Sequence, residues 1–249
     1  MENPGAGDSV QKDLLKGDKS KFGKYKELFV GEKGFFFLLK YELIQLFFSG
    51  IPGGLGYTLR GLFYPSIFKH VGRGVVFGRN MTIRHPHKIT IGDQTHFDDN
   101  VVLDAKGDVD EGIVLGNHVI IGRNTILSCK GGSISLGDFC NIASNCSLLS
   151  ESIISIGSHT FLAGHCFLVA GGNHSYERTD VPIMFQPSFS RGGIRISEDV
   201  WIGASVTITD GVEIGTGCII GASSLVRENI PEFCVAVGVP ARVVKHRKS

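Results

Sequence analysis

The sequence predicts an all-β parallel β-helix of six-residue rungs, with a helical extension before it and a short tail after it. Three observations carry this expectation. Ile196, Ile202, Ile208, Ile214, Ile220 and Val226 stand six residues apart. The residue after most of them is small: Ser197, Gly203, Gly215 and Gly221. The fifth position of each rung is small or β-branched: Val200, Val206, Val212, Cys218 and Ser224. A short-period repeat of this kind marks a solenoid, in which each unit buries its apolar face only by stacking on the next.

The same rung recurs upstream. Ile91-Gly92 leads to Phe97, Leu115-Gly116 to Ile121-Gly122, Leu136-Gly137 to Ile142-Ala143, and Ile156-Gly157 to Leu162-Ala163. Three rungs make one triangular coil, with an apolar side chain from each face pointing inward. The Gly or Ala beside that side chain is expected to allow the corner, because glycine adopts turn dihedrals at little steric cost. Ile196 and Ile214 are 18 residues apart, one ideal coil; Leu136 and Ile156 are 20 apart, Leu115 and Leu136 21, and Ile91 and Leu115 24. Small corner loops account for those differences. Ile156 and Ile196 are 40 apart, which reads as one coil plus a 22-residue excursion, because residues 169–195 carry no rung pattern. The expected organisation is an extension over 1–70, the solenoid over 71–230 and a tail over 231–249.

Composition narrows the function classes. A net charge of +1 makes no case for a nucleic-acid partner. Cys140, Cys146, Cys166 and Cys218 fall on fifth positions and no C-x-x-C pair occurs. Buried reduced thiols of a cytoplasmic protein are the expectation, with cysteine acting as a small hydrophobe. Nine of the 17 phenylalanines precede His70. The apolar run Phe35-Phe36-Phe37-Leu38-Leu39, then Leu43-Ile44 and Leu46-Phe47-Phe48, is too short and interrupted to span a bilayer. It lacks the basic start and cleavage site of a signal peptide. A helix there is expected to cap the first coil and shield its open edge. The alternative use is a peripheral membrane contact through residues 22–50, helped by Lys12, Lys16, Lys19, Lys21, Lys24 and Lys26 and diluted by Asp13, Asp18 and Glu27.

The rungs, the long excursion, and the segments Asp199-Val200-Trp201-Ile202-Gly203-Ala204 and Val237-Gly238-Val239-Pro240-Ala241-Arg242-Val243-Val244 resemble the bacterial hexapeptide-repeat acetyltransferases. Branches the chain is similar to include the galactoside, maltose and virginiamycin acetyltransferases and the O-acetyltransferases of surface-polysaccharide synthesis. The likeness runs from about Phe77 to Val244. It implies a left-handed β-helix, a homotrimer, and acetyl-coenzyme A bound between adjacent β-helices as co-substrate, with no metal.

The excursion reads Gly171-Gly172-Asn173-His174-Ser175-Tyr176-Glu177-Arg178-Thr179-Asp180-Val181-Pro182-Ile183. Acyl transfer from a thioester needs a base for the acceptor's proton, and histidine suits that task near neutral pH. His174 follows two glycines, where the backbone can turn, and its context matches the catalytic histidine of the resembled family. The plainer alternative is a surface-loop histidine with no role. For the donor, the resemblance implies contacts at Ala204 and Ala222, Arg227, Arg242 and Lys245, with Trp201 a wall of the site beside His174. The family often has Thr-Lys where this chain has Arg227-Glu228. For the acceptor, it implies Asn145, while Glu151 lies nearby in sequence to orient His174 or bind the acceptor. The expected activity is direct O-acetylation of a sugar or other small-molecule hydroxyl, with amino-sugar N-acetylation as the alternative.

A rival class is a zinc enzyme like the gamma-class carbonic anhydrases, which draw three histidines from two chains. His118, His159 and His165 all occupy fourth positions, but His159 and His165 fall on different faces of one coil. His85-Pro86-His87 reads as a turn. A non-catalytic scaffold is the third class, and the intact His174 loop argues against it.

Overall fold

The computed structural model describes residues 20–31, 33–107 and 112–247. Residues 1–19, with Lys12, Lys16 and Lys19, lie outside the described residues, as do Lys248 and Ser249. The body is a parallel β-solenoid with three walls. The first wall runs from His70–Val71 to Glu213–Ile214 and the third from Thr82–Arg84 to Leu225–Val226. The second starts at His96–Phe97 and ends on a hairpin of Cys234–Gly238 and Ala241–His246.

Every rung expected from spacing lies in register. Ile91, Leu115, Leu136, Ile156, Ile196 and Ile214 pair in succession along the first wall. Phe97, Ile121, Ile142, Leu162, Ile202 and Ile220 do so along the second. Leu103, Leu127, Leu148, Leu168, Ile208 and Val226 complete the third. These inward columns form the core and are buried. The strand Ile153–Ile156 pairs directly with Ile194–Ile196, so the long interval is one coil plus an excursion. The excursion lies within narrower bounds than 169–195, because Phe167–Ala170 and Ile194–Ile196 are strands.

The corners work differently from expectation. The left-handed residues are not the small ones beside the inward side chain but those at the fourth position. His118, Phe139, Asn145, His159, His165, Ser205 and Ser223 all have φ between 56° and 64°. Asn and His are among the residues that tolerate this region best. The glycines answer to a different constraint, the approach of the next coil. A Cβ on Gly137 would lie 2.6 Å from the Ser158 amide nitrogen, and one on Gly157 2.6 Å from that of Glu198.

The fifth position also carries more than small size. Thr125 Oγ1 donates to the Ala143 carbonyl at 2.9 Å and Thr160 Oγ1 to that of Ser197 at 3.1 Å. The thiols of Cys140, Cys166 and Cys218 donate likewise to Gly157, Gly203 and Pro231 at 3.1, 3.2 and 2.9 Å. All six cysteines are buried and free. Burial pushes the Cys129 thiol up to about 12 and Cys140 up to about 11.

The N-terminal helices α1 (Lys21–Phe29), α2 (Phe35–Phe48) and α3 (Gly53–Phe63) close the open end. The Tyr41 hydroxyl donates to the Ile83 carbonyl at 2.6 Å. The buried Arg60 guanidinium donates to the carbonyls of Phe77, Ile51 and Phe48 at 2.9, 2.8 and 3.2 Å. Beneath them the rings of Phe68, Phe77 and Phe97 stack at 5.6 and 5.7 Å, sealing the first coils. Among the described residues no helix is long and apolar enough to cross a membrane.

His85 and His87 sit in the seam between cap and solenoid. His87 lies edge-on to Phe37 at 6.0 Å. Burial, then Lys33, His85 and Lys88 nearby, pulls its pKa down to about 4. The unfolded chain takes up that proton near the ordinary histidine value of about 6.5. Between those two values the folded state binds fewer protons than the unfolded one. The stability held by the seam is therefore fully present above about pH 6.5 and is lost as pH falls below it. His87→Phe is expected to lower the acid sensitivity of the melting temperature between about pH 7.5 and 5, as read by circular dichroism. Equal losses in both proteins would show that His87 is not the sensitive group.

Candidate active site

The excursion begins where the solenoid turns from its third wall to its first. Gly171 and Gly172 take φ of 86° and 69°, so the chain leaves the coil on two left-handed residues. A Cβ on Gly171 would meet that of Glu151 at 3.0 Å, in the coil below. The chain then forms a short antiparallel hairpin, Asn173–His174 against Ser188–Phe189, with His174 opposite Ser188. Its outer turn is braced by the buried Gln186. That amide donates to the carbonyls of Arg178 and Val181 at 2.7 and 2.9 Å and accepts from the Arg178 N–H at 3.3 Å.

Both legs of the hairpin are held by Asp210, on the same corner of the next coil. Its carboxylate accepts from the Arg191 and Gly193 amides at 2.5 and 2.9 Å, from Asn173 Nδ2 at 2.8 Å, and from the Ser190 hydroxyl at 3.3 Å. Asp210 is 7% exposed. Asn173 immediately precedes His174, so this clamp fixes the backbone that carries the imidazole. The His174 ring is half-buried, and its Nδ1 is buried without a hydrogen-bond partner. The sequence did not single out Asp210, because Asp210-Gly211 at a corner reads as an ordinary turn.

Glu151 lies under the start of the hairpin. A Cβ on Gly172 would stand 3.1 Å from its Oε2. Thus Glu151, Asp210, Asn173 and His174 gather at one edge. The other expected residues stand elsewhere on the chain. Ala204 and Ala222 occupy successive coils at the corner between the second and third walls, where the Ser223 amide donates to the Ala204 carbonyl at 2.8 Å. Asn145 lies on that same corner, in a ladder where Asn100 donates to Asn124 at 3.2 Å and Asn124 to Asn145 at 3.0 Å. Trp201 is exposed on the second wall, in a shallow cavity of about 310 Å³ with His159, Phe161, Asp199, Ile219 and Arg247. It does not wall the site beside His174 within one chain, because its rung faces outward from a different side of the coil.

Arg227 is exposed after the last third-wall strand. Arg242 and Lys245 lie on the returning strand of the C-terminal hairpin, opposite Val237 and Val235. Arg242 pairs with Glu228 at 3.0 Å. The acidic residue at the Arg227-Glu228 departure is therefore this arginine's partner. Of the histidines at fourth positions, His118 and His159 stack on the two faces of Phe139 at 4.7 and 5.2 Å. His165 lies at a different corner. Among the described residues no group of three or more His, Cys, Asp or Glu is arranged to hold a metal ion.

Comparison with known proteins agrees with this architecture. Residues 193–228 match the family described as bacterial transferase hexapeptide (six repeats). A Mycobacterium tuberculosis protein named "probable acetyltransferase" is 30% identical over 166 residues, 67% of this chain and 54% of that protein. The galactoside O-acetyltransferase of Escherichia coli is 32% identical over 117 residues, 46% of this chain and 55% of the enzyme. The chain spans about half the length of these curated relatives. Among solved structures, AntD, an N-acyltransferase from Bacillus cereus in complex with dTDP and 3-hydroxybutyryl-CoA, is similar with a TM-score of 0.50. It is 27% identical, over 73% of this chain and 84% of that one. A mutant AntD in complex with dTDP-4-amino-4,6-dideoxyglucose and coenzyme A gives the same TM-score of 0.50 at 26% identity, over 73% of this chain and 85% of that one. The in-register rungs and the matched repeat segment make the chain a hexapeptide-repeat β-solenoid, similar over part of its length to bacterial acetyltransferases.

Proposed function

We propose that the chain is an acetyl-coenzyme A-dependent acyltransferase. It moves the acetyl group directly onto a hydroxyl of a saccharide or other small molecule, with His174 as general base. The observation that carries this reading is the His174 hairpin. It interrupts a regular solenoid, and a buried carboxylate holds both of its legs. His174 takes the acceptor's proton as its oxygen attacks the thioester carbonyl, and a backbone N–H stabilises the oxyanion. Coenzyme A leaves as the thiol, with the proton returned by the imidazolium. All six thiols are buried, and burial raises those of Cys129 and Cys140, so none is presented as an acyl carrier, which favours direct transfer over an acyl-enzyme. Their free state suits a reducing, cytoplasmic compartment.

An amine acceptor is the second reading, favoured by the likeness to AntD with a bound amino-sugar nucleotide. Acetyl-coenzyme A supplied with a panel of sugars, nucleotide sugars and amino sugars separates the two. An alkali-labile ester product supports the first reading and a stable amide the second. Coenzyme A release that no acceptor in the panel accelerates would count against both.

The reading requires more than one copy. Within one chain the proposed base stands on one edge of the solenoid, while Ala204, Ala222 and Asn145 stand on another. The second wall's outward row includes the exposed Ile120, Phe161 and Trp201. The first wall's row, by contrast, is mostly polar: Thr90, Ser135, Ser155, Arg195 and Glu213. A homotrimer would bring one copy's hairpin to another copy's donor edge and cover apolar surface. A stable monomer that still turns over acetyl-coenzyme A would overturn this arrangement.

Arg242 and Lys245 are proposed to face the donor's phosphates. Arg242→Ala is expected to raise the donor KM, by roughly 1–3 kcal/mol of lost binding, and to leave kcat close to normal. The pair with Glu228 makes a second variant informative: Glu228→Gln frees the guanidinium and should lower that KM. Unchanged donor KM in both variants, and in Lys245→Ala, would reduce the tail to a solvated basic end.

A further inference from the structure

The N-terminal cap has two apolar faces, and among the described residues the fold covers one of them. Leu38, Tyr41 and Ile44 of α2 are buried against the solenoid. On the opposite arc of the same helix stand Phe36, Leu39, Leu43, Leu46 and Phe47, all exposed, with Phe36 at 84% and Leu46 at 76%. The exposed Leu55 and Leu62 of α3 extend the surface. The rings of Phe48 and Phe63 stack at 4.3 Å and join the two helices. Phe36, Leu39, Leu43, Phe47 and Phe63 line a groove of about 480 Å³ there.

The charges lie at the borders of this face. Lys40 stands at one edge of the α2 arc, its ammonium donating to the Ser66 carbonyl at 2.7 Å. At the other edge α1 is tied to α2 by the Tyr25 hydroxyl, which donates to Glu42 at 2.5 Å. That helix carries Lys21, Lys24 and Lys26, against Glu27.

We propose that this face seats on the surface of a bilayer containing anionic lipid. A contiguous apolar patch, unlike scattered apolar residues, marks an interaction surface. Helices of 14 and 11 residues are too short to span a bilayer, so they lie in its interfacial plane with the apolar arc inward. The bordering lysines then meet anionic headgroups, which attract them over about a Debye length. A second copy is the less suitable occupant, because a two-fold contact would bring the two lysine borders together. The proposal is independent of the acyl-transfer chemistry.

Vesicle flotation of the full chain tests it. With vesicles of phosphatidylcholine and phosphatidylglycerol at low salt, the protein is expected to float. With phosphatidylcholine alone, or at high salt, flotation should fall. Leu39→Glu with Leu46→Glu places two carboxylates on the exposed arc without touching the buried face. This variant should keep its melting temperature and bind the anionic vesicles at least tenfold more weakly. Wild-type protein that stays unbound under every condition would overturn the proposal, as would equal binding to both vesicle types. So would a concentration-dependent increase in mass that the double variant abolishes, because a second copy would then cover the face.

Discussion

Replacing His174 by alanine is expected to lower kcat by on the order of 10²-fold or more, the usual scale for losing a positioned general base. The substitution removes an imidazole that is half-buried on a hairpin, away from the core columns, so the melting temperature should change little. The donor KM should also stay near its wild-type value, because the proposed coenzyme A positions lie on a different edge of the chain. His174→Gln separates proton transfer from shape: glutamine offers a hydrogen bond but does not act as a base near neutrality, so it should be nearly as slow. A His174→Ala protein that turns over its true acceptor at a near-normal rate would remove this residue from the chemistry. The solenoid and its relatives would then stand without an assigned base.

The solenoid was open to sequence reading because its periodicity is strict and its core is local. One inward aliphatic every six residues sets three columns, and each coil needs only its neighbour to bury them. Ile196 through Val226 therefore announced the register, and the 40-residue interval announced the excursion. What the spacing did not reveal was which residue bears the turn. The glycine at the second position looks like a turn residue, yet Gly137 and Gly157 are required by backbone of the coil above, a contact some 20 residues or more away in sequence. The left-handed residues are instead polar or aromatic, His118, Asn145 and Ser205 among them. The Phe-rich segment was legible as a cap, but its second apolar face was not. A helix apolar all round gives no sign of which side the fold will cover.

The candidate site was legible in part, and for a physical reason. His174 stood out because it lies in the longest break in the repeat, next to paired glycines. The residues that hold it did not. Asp210 lies 36 positions later, on the next coil, and only stacking brings it beside Asn173. The positions taken from family resemblance divided between two edges. Resemblance matches residues one at a time and carries no information on whether one chain or two must assemble them.

Asp210→Asn is expected to lower kcat by roughly 10- to 10²-fold, because a misplacement of about 1 Å at a reacting group costs on that order. The cause lies in the donor count. The Arg191 and Gly193 amides and the Asn173 side chain all donate to this carboxylate. An asparagine offers one acceptor oxygen and turns an NH₂ toward another donor, so at least one buried group loses its partner. That costs about 1–3 kcal/mol, concentrated at the base of the hairpin. Amide exchange at 190–193 should accelerate while the inward columns stay protected. Asp210 does not touch the proposed donor positions, so the donor KM should change much less than kcat. Asp210→Ala should show both effects more strongly. If exchange at the hairpin rises and kcat does not fall, the clamp orders the loop but the chemistry does not depend on it. If neither changes, the carboxylate is not the anchor that its four partners suggest.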